Sequence, residues 1–285
     1  MNTNLKRYIY CCLLVIASLI MFSSIAVSLE KTDVTDILFR HEWLGNIDKV
    51  EFKEPSGIVF HPQRGTLFAV GDGGDVCEIK TDGTLVKQKL IREADFEGIT
   101  CDPSTGLLYI AIEGEERILE VNPDSFEMLR EFDIPRIFQG KTVLKEGGQG
   151  IEGITFVPED NHPEGGTFYV TNQSFDLEDA EELSAVFQIK LPLRTGSGEK
   201  LKAEIIRYFS PGVTDLSGIH YDSVSQRLCV ISDSNNVFLE ITMTGEIADF
   251  YAFPGNDQEG IAMDPEGFIY IAQDTGGILK IKWNR

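Results

Sequence analysis

One short pattern recurs five times in this chain: EPSGIVFHP at 54–62, DFEGITCDP at 95–103, GIEGITFVP at 150–158, DLSGIHYDS at 215–223 and DQEGIAMDP at 257–265. Each copy has a Gly-Ile pair and a bulky or sulfur-containing residue two places after the Ile. The glycines are Gly57, Gly98, Gly153, Gly218 and Gly260, separated by 41, 55, 65 and 42 residues. A unit of about 40–45 residues built from short strands is the signature of a β-propeller blade. The two long spacings are then the same unit carrying insertions.

Each unit continues in the same way. A turn leads to a second strand: TLFAV (66–70), LLYIA (107–111), TFYVT (167–171), RLCVI (227–231) and FIYIA (268–272). A third strand follows: VCEIK, ILEVN, VFQIK, FLEIT and ILKIK. Their side chains alternate with period two, as in half-buried strands. Four units have a fourth strand, but the fifth ends at Arg285 without one. A spare strand, Ile37–Leu44, precedes the first unit. The prediction is an all-β, five-bladed propeller of four-stranded blades. Its last blade is completed by the N-terminal strand, which leaves no open sheet edge.

Residues 1–28 stand apart from the propeller domain at 29–285. Lys6 and Arg7 precede an uncharged stretch, Tyr8–Ser28, long enough to cross a bilayer as a helix. It is read as a membrane anchor, with a cleaved signal ending at Ala26 or Ser28 as the alternative. The basic residues place its N-terminus in the cytoplasm. The propeller then faces the periplasm or the outside, and is secreted if the segment is cleaved.

The net charge of −21 disfavours nucleic acid as a partner. Of the five cysteines, Cys77, Cys101 and Cys229 fall at packing positions of the repeat, so buried free thiols are expected rather than a disulfide framework. Of the four histidines, only His220 lies in a channel-side strand. No nucleophile elbow, His-Glu-x-x-His or phosphate loop is present.

In a propeller, first strands line the central channel and begin on the face where second strands end. Two residue sets therefore share one mouth. Ser56, Glu97, Glu152, Ser217 and Glu259 precede the glycines; Asp72, Glu113, Asn172 with Gln173, Asp233 and Asp274 follow the second strands. Carboxylates this crowded need a cation, protons or water. Oxygen donors without His or Cys suit Ca²⁺. The metal candidates are Glu97, Glu152 and Glu259 first, then Asp72, Glu113, Asp233 and Asp274. Glutamate before glycine also caps turns, and aspartate after a strand is an ordinary turn residue. Insertions 135–149 and 173–184 open on the same face, either as a wall or lid over the channel or as elaborations without a ligand. Loop 192–200 reads as plain connector on the other face.

The stretches SGIVFHPQRGTLFAVGDGGDVCEIKTDGTLV, FEGITCDPSTGLLYIAIEGEERILEVN and QEGIAMDPEGFIYIAQDTGGILKI resemble the SdiA-regulated family of bacterial envelope proteins, over about residues 35–285. The resemblance implies a five-bladed propeller, distantly NHL-repeat-like, with a bound calcium ion and a role in interactions. Ser56 and Ser217 depart from a fully acidic ring. The expected function is a membrane-anchored Ca²⁺-binding module, non-catalytic, taking a protein or small-molecule ligand at the channel face. The alternative is a Ca²⁺-dependent hydrolase of lactones or esters, in which the ion polarises a carbonyl. Phytase-like chemistry fits less well, because the face lacks basic residues.

Overall fold

The computed structural model describes residues 41–50, 52–253 and 255–284. The apolar segment at 1–28, and Ile37–Arg40 of the spare strand, lie outside the described residues. No helix among the described residues is long and apolar enough to cross a membrane.

The first strand among the described residues is β1 (His41–Asn46). The first blade is β2 (Pro55–His61), β3 (Thr66–Gly71), β4 (Asp75–Lys80) and β5 (Leu85–Leu90). The second is β6 (Phe96–Cys101), β7 (Leu108–Ile112), β8 (Arg117–Val121) and β9 (Met128–Asp133). A small hairpin, β10 (Ile137–Phe138) with β11 (Lys141–Thr142), precedes the third. That blade contains β12 (Ile151–Pro158), β13 (Gly166–Asn172), β14 (Ala185–Lys190) and, after β15 (Lys200–Lys202), β16 (Glu204–Phe209). The fourth is β17 (Leu216–Asp222), β18 (Arg227–Ser232), β19 (Val237–Thr242) and β20 (Ile247–Ala252). The fifth has β21 (Gln258–Met263), β22 (Phe268–Gln273) and β23 (Ile278–Trp283), and takes β1 as its outer strand.

The expected closure is therefore observed. β1 pairs antiparallel with β23, from His41 opposite Trp283 to Asn46 opposite Leu279. The Ile47 N–H donates to the Ile278 carbonyl (2.8 Å), and the Ile278 N–H to the Asn46 side chain (3.1 Å). Loop 192–200 corrects the expectation of a plain connector. It leads into β15, which adds a parallel fifth strand to the second blade by pairing with β9. The buried Glu164 carboxylate anchors its start by accepting the Arg194 N–H (2.6 Å).

The hydrophobic core is divided among the blade interfaces. Phe68, Val70 and Phe96 join the first and second blades, and Tyr109, Ile154 and Phe168 join the second and third. Tyr169, Leu216 and Leu228 join the third and fourth, and Phe238, Ile261 and Ile269 the fourth and fifth. Ile58, Leu67, Ala272 and Ile278 join the fifth back to the first. Cys77, Cys101 and Cys229 are buried in these layers, as their repeat positions predict. Burial pushes the Cys77 and Cys101 thiols up to about 12, so neither is a nucleophile at neutral pH.

The glycines of the repeat meet around the axis. A Cβ on Gly57 would lie 2.4 Å from the Glu97 carbonyl oxygen, and one on Gly98 would lie 2.4 Å from that of Glu152. Gly153 faces the backbone of the fourth blade, Gly218 that of the fifth, and Gly260 returns to the Ser56 carbonyl oxygen at 2.7 Å. These contacts are to backbone, which has little freedom to yield. Gly98→Ala is expected to destabilise the fold by about 1–3 kcal/mol, lowering the melting temperature by ~3–10 °C. Thermal unfolding followed by circular dichroism checks this; an unchanged midpoint contradicts the packing assigned to the glycine ring.

Candidate metal centre at the channel mouth

The first strand of every blade contains a β-bulge at the same place. One extra residue enters between Pro55 and Gly57, Phe96 and Ile99, Ile151 and Ile154, Leu216 and Gly218, and Gln258 and Gly260. A bulge releases a residue from the ladder and re-aims its side chain. The residues so placed include Ser56, Glu97, Glu152, Ser217 and Glu259. Below them the channel narrows to a cavity of about 10 Å³, lined by all five Gly-Ile pairs. That holds at most one water, so the carboxylates occupy a closed-ended mouth.

The geometry separates the seven predicted ligands into two groups. Carboxylate oxygens of Glu97, Glu113 and Glu152 lie within 4.8 Å of one another, and so do those of Asp72, Asp95 and Glu97. Glu97 belongs to both sets. Oxygens bound to one Ca²⁺ at 2.3–2.6 Å are at most about 5 Å apart, so either set fits a single ion. Glu259 belongs to neither set; the carboxyls that act on it are Asp233, Asp215, Asp274 and Asp72. Asp233 also accepts the Gln258 N–H (2.8 Å), which ties the fourth blade to the start of the fifth. Ser56 donates to Asp72, whereas the Ser217 hydroxyl turns to the Gln258 carbonyl (2.7 Å). Asn172 is used structurally, donating to the Gln173 and Leu183 carbonyls.

Asp95 escaped the sequence reading. It stands two residues before Glu97, a spacing that puts both on one side of a strand. The same position holds Glu54, Asp215 and Asp257 in other units, so the signal was present in the repeat itself. Asp215 bridges blades, accepting from the Gln173 side chain (2.8 Å) and the Ser234 N–H (2.7 Å).

Electrostatically the mouth is strained towards protonation. Glu152 is buried, and burial together with Glu97, Glu259 and Glu113 holds it well above the usual carboxylate range. Glu97 is raised by burial and by Asp72 and Asp95, and it shares a hydrogen bond with Glu152. Burial and Asp95 push Glu113 up to about 7. Burial and Asp233 push Glu259 up to about 8. Asp72, Asp233 and Asp274 are also raised, with burial the first cause of each.

The two insertions form one wall beside this cluster. Arg136 of the first pairs with Glu116 and donates to the Gly114 carbonyl (2.9 Å), next to Glu113. Lys145 then meets Asp179 of the second insertion at 3.2 Å, and the Gln149 N–H donates to Glu182 at 2.5 Å.

A five-bladed β-propeller with a carboxylate-lined channel mouth is the class that fold and site define. The chain belongs to the SdiA-regulated family, whose profile matches residues 45–275. No curated protein matches it. Among solved structures, Myxococcus xanthus glutaminyl cyclase is similar at 12% identity, covering 86% of this chain and 96% of that one, with a TM-score of 0.58. A Bacteroides caccae protein of unknown function is similar at 14% identity, covering 76% and 69%, with a TM-score of 0.46. Staphylococcus aureus virginiamycin B lyase is similar at 16% identity, covering 85% and 73%, with a TM-score of 0.43. At these identities the likeness is one of fold.

The raised carboxyls set a pH dependence. A carboxyl whose pKa is higher folded than unfolded keeps its proton longer in the folded state. Stability is then greatest below the unfolded value near 4.5 and falls as pH rises towards the folded values, about 7 for Glu113 and about 8 for Glu259. In chelator, the melting temperature is expected to fall between pH 5 and 8.5. The fall should be shallower in Glu259→Gln; an identical slope in that variant would remove Glu259 from the titrating set.

Proposed function

We propose that this chain is a calcium-binding propeller that works outside the cytoplasm as a non-catalytic binding module, carried on its N-terminal apolar segment. One observation carries the calcium reading. The other buried glutamates all have positive or N–H partners. Glu78 pairs with Arg64 (2.8 Å), Glu120 with Arg130 (2.9 Å), Glu131 with Arg117 (3.2 Å), Glu240 with Arg227 (3.3 Å) and Glu116 with Arg136, while Glu164 accepts backbone N–H groups. Glu152 is equally buried, yet the groups acting on it are carboxyls. Removing a counter-charge from a buried carboxylate is strongly destabilising. A bound divalent cation supplies the missing charge, and the close-set oxygens of Glu97, Glu113 and Glu152 would hold it. Asp72 and Asp95 extend the ligand set towards solvent. The acidic rim and the insertion wall then offer a partner protein or small ligand a surface next to the ion.

A Ca²⁺-dependent hydrolase is the second reading. The hydrogen-bonded pair Glu97–Glu152, with pKa values held high, favours it, because such a pair moves protons at neutral pH. The ion would polarise a lactone or ester carbonyl.

Calcium at 100 times its dissociation constant stabilises a folded protein by about 2.7 kcal/mol. For a domain of this size, that raises the melting temperature by ~5–10 °C. The shift is expected in chelator-stripped wild type and should be lost in Glu97→Gln/Glu152→Gln. An equal shift in the double variant places the ion elsewhere. Hydrolysis of a lactone and ester panel that disappears with chelator and in the same variant would select the enzyme reading. For the anchor, the expressed full chain should stay in the membrane fraction after an alkaline carbonate wash. Release into the soluble fraction would mean that the segment is cleaved.

A further inference from the structure

The opposite mouth of the channel has its own cavity, of about 520 Å³. It forms where the first strands end. The residue two places after each repeat isoleucine lines it, so Phe60, Phe156 and Tyr221 enter from three different blades. Trp283 of β23 adds a fourth aromatic ring. The rings are set by packing: Phe156 tilts against Phe168 at 4.9 Å between centroids, and Trp283 meets Phe238 edge-on at 5.2 Å. The Tyr221 N–H donates to the Thr155 hydroxyl (2.9 Å), fixing its strand. The volume falls in the range that takes a small organic ligand, and a preset wall lowers the entropy lost on binding.

Carboxylates predominate at this mouth, where His220 is the one basic side chain in the lining. Asp222, Asp264 and Glu266 line it, and no lysine or arginine does. Asp222 is held by the Ser225 hydroxyl (2.6 Å), and Asp264 by the Glu266 N–H (2.9 Å) and the Tyr270 hydroxyl (2.8 Å). The negative charge is therefore fixed in position. Lys282, at the rim, is held over the Phe268 ring at 4.2 Å and donates to the Glu266 carbonyl. Aromatic faces and carboxylates both attract a cation, and an apolar wall rejects a strongly hydrated one.

We propose that this mouth binds a small apolar cation, an aromatic or alkyl amine, with its hydrocarbon part against Phe60, Phe156, Tyr221 and Trp283 and its ammonium group at the acidic rim. The site is separate from the carboxylate mouth. The waist between them, about 10 Å³, passes nothing larger than water. Binding here requires no metal.

The test uses the full chain in chelator, titrated with 1-naphthylmethylammonium and, as a matched anion, 1-naphthylacetate. Calorimetry gives affinity, and quenching of tryptophan fluorescence in Trp43→Phe, which leaves Trp283 as the one tryptophan, reports contact with that ring. The amine is expected to bind at one site, at least ~10-fold tighter than the acid. Glu266→Lys, and Val224→Arg at a rim position that is 85% exposed, should each weaken the amine ~3- to 10-fold. The unfolding midpoint of each variant shows that it is folded, and two variants guard against loss of either. Glu97→Gln/Glu152→Gln should bind the amine as wild type does. Undetectable amine binding, equal affinity for the two probes, unchanged affinity in both rim variants, or loss in the Glu97/Glu152 variant would each overturn the proposal.

Discussion

The structure depends on backbone meeting backbone around the channel axis. Five glycines bring the inner strands so close that an added Cβ would stand 2.4–2.7 Å from the neighbouring blade's main chain. The contact runs from the first blade through the fifth and back to Ser56, so each glycine fixes the distance between two blades. The inter-blade hydrophobic layers are built outward from that spacing. The layer between the fifth and first blades, with Ile58, Leu67, Ala272 and Ile278, is made of the same residue types as the rest. β1 then pairs the outer edge of the last sheet, joining the two ends of the chain in one blade.

The same constraint creates the site. Narrow inner strands force a bulge before each glycine, and the bulge turns the preceding side chain out of the ladder. Where that residue is serine, its hydroxyl finds a local partner, Asp72 for Ser56 and the Gln258 carbonyl for Ser217. Where it is glutamate, the carboxyl enters a mouth whose floor admits no more than a water. Elsewhere the chain places arginine beside its buried acids, from the turn at Arg64 or the outer strand at Arg130. At Glu97 and Glu152 the charged groups brought close are carboxyls instead.

Much of this was legible in the sequence because each blade repeats the same local rule. Gly-Ile spacing, period-two strands and an unpaired N-terminal strand all report local geometry, and all three were realised. Cys77, Cys101 and Cys229 were placed in the core for the same reason. The parallel strand Lys200–Lys202 was not legible, since its pairing with β9 of another blade leaves no periodic mark in a three-residue segment. The division of the acids was also hidden. Glu97, Glu152 and Glu259 occupy one register, yet only the first two share a ligand-sized cluster, because Glu113 and Asp95 come from the blade that carries Glu97. The aromatic mouth was visible only as packing positions. Nothing in Phe60 or Phe156 alone says that the ends of the first strands diverge into a cavity.

Near-identical blades make a symmetric ring, and symmetry gives a binding site no direction. Two departures break it on the same side. Glutamates at the bulges of the adjacent second and third blades bring Glu97 and Glu152 together, whereas serine at the first and fourth leaves Glu259 outside the close-set groups. Both insertions belong to the same stretch: one joins the second blade to the third, and the other joins β13 to β14. Arg136 fastens the first insertion beside Glu113, and Lys145 fastens the second to the first. The wall therefore stands over the paired glutamates rather than over Glu259. Chain length added at these two points makes the acidic mouth asymmetric, with its wall on the side of Glu113.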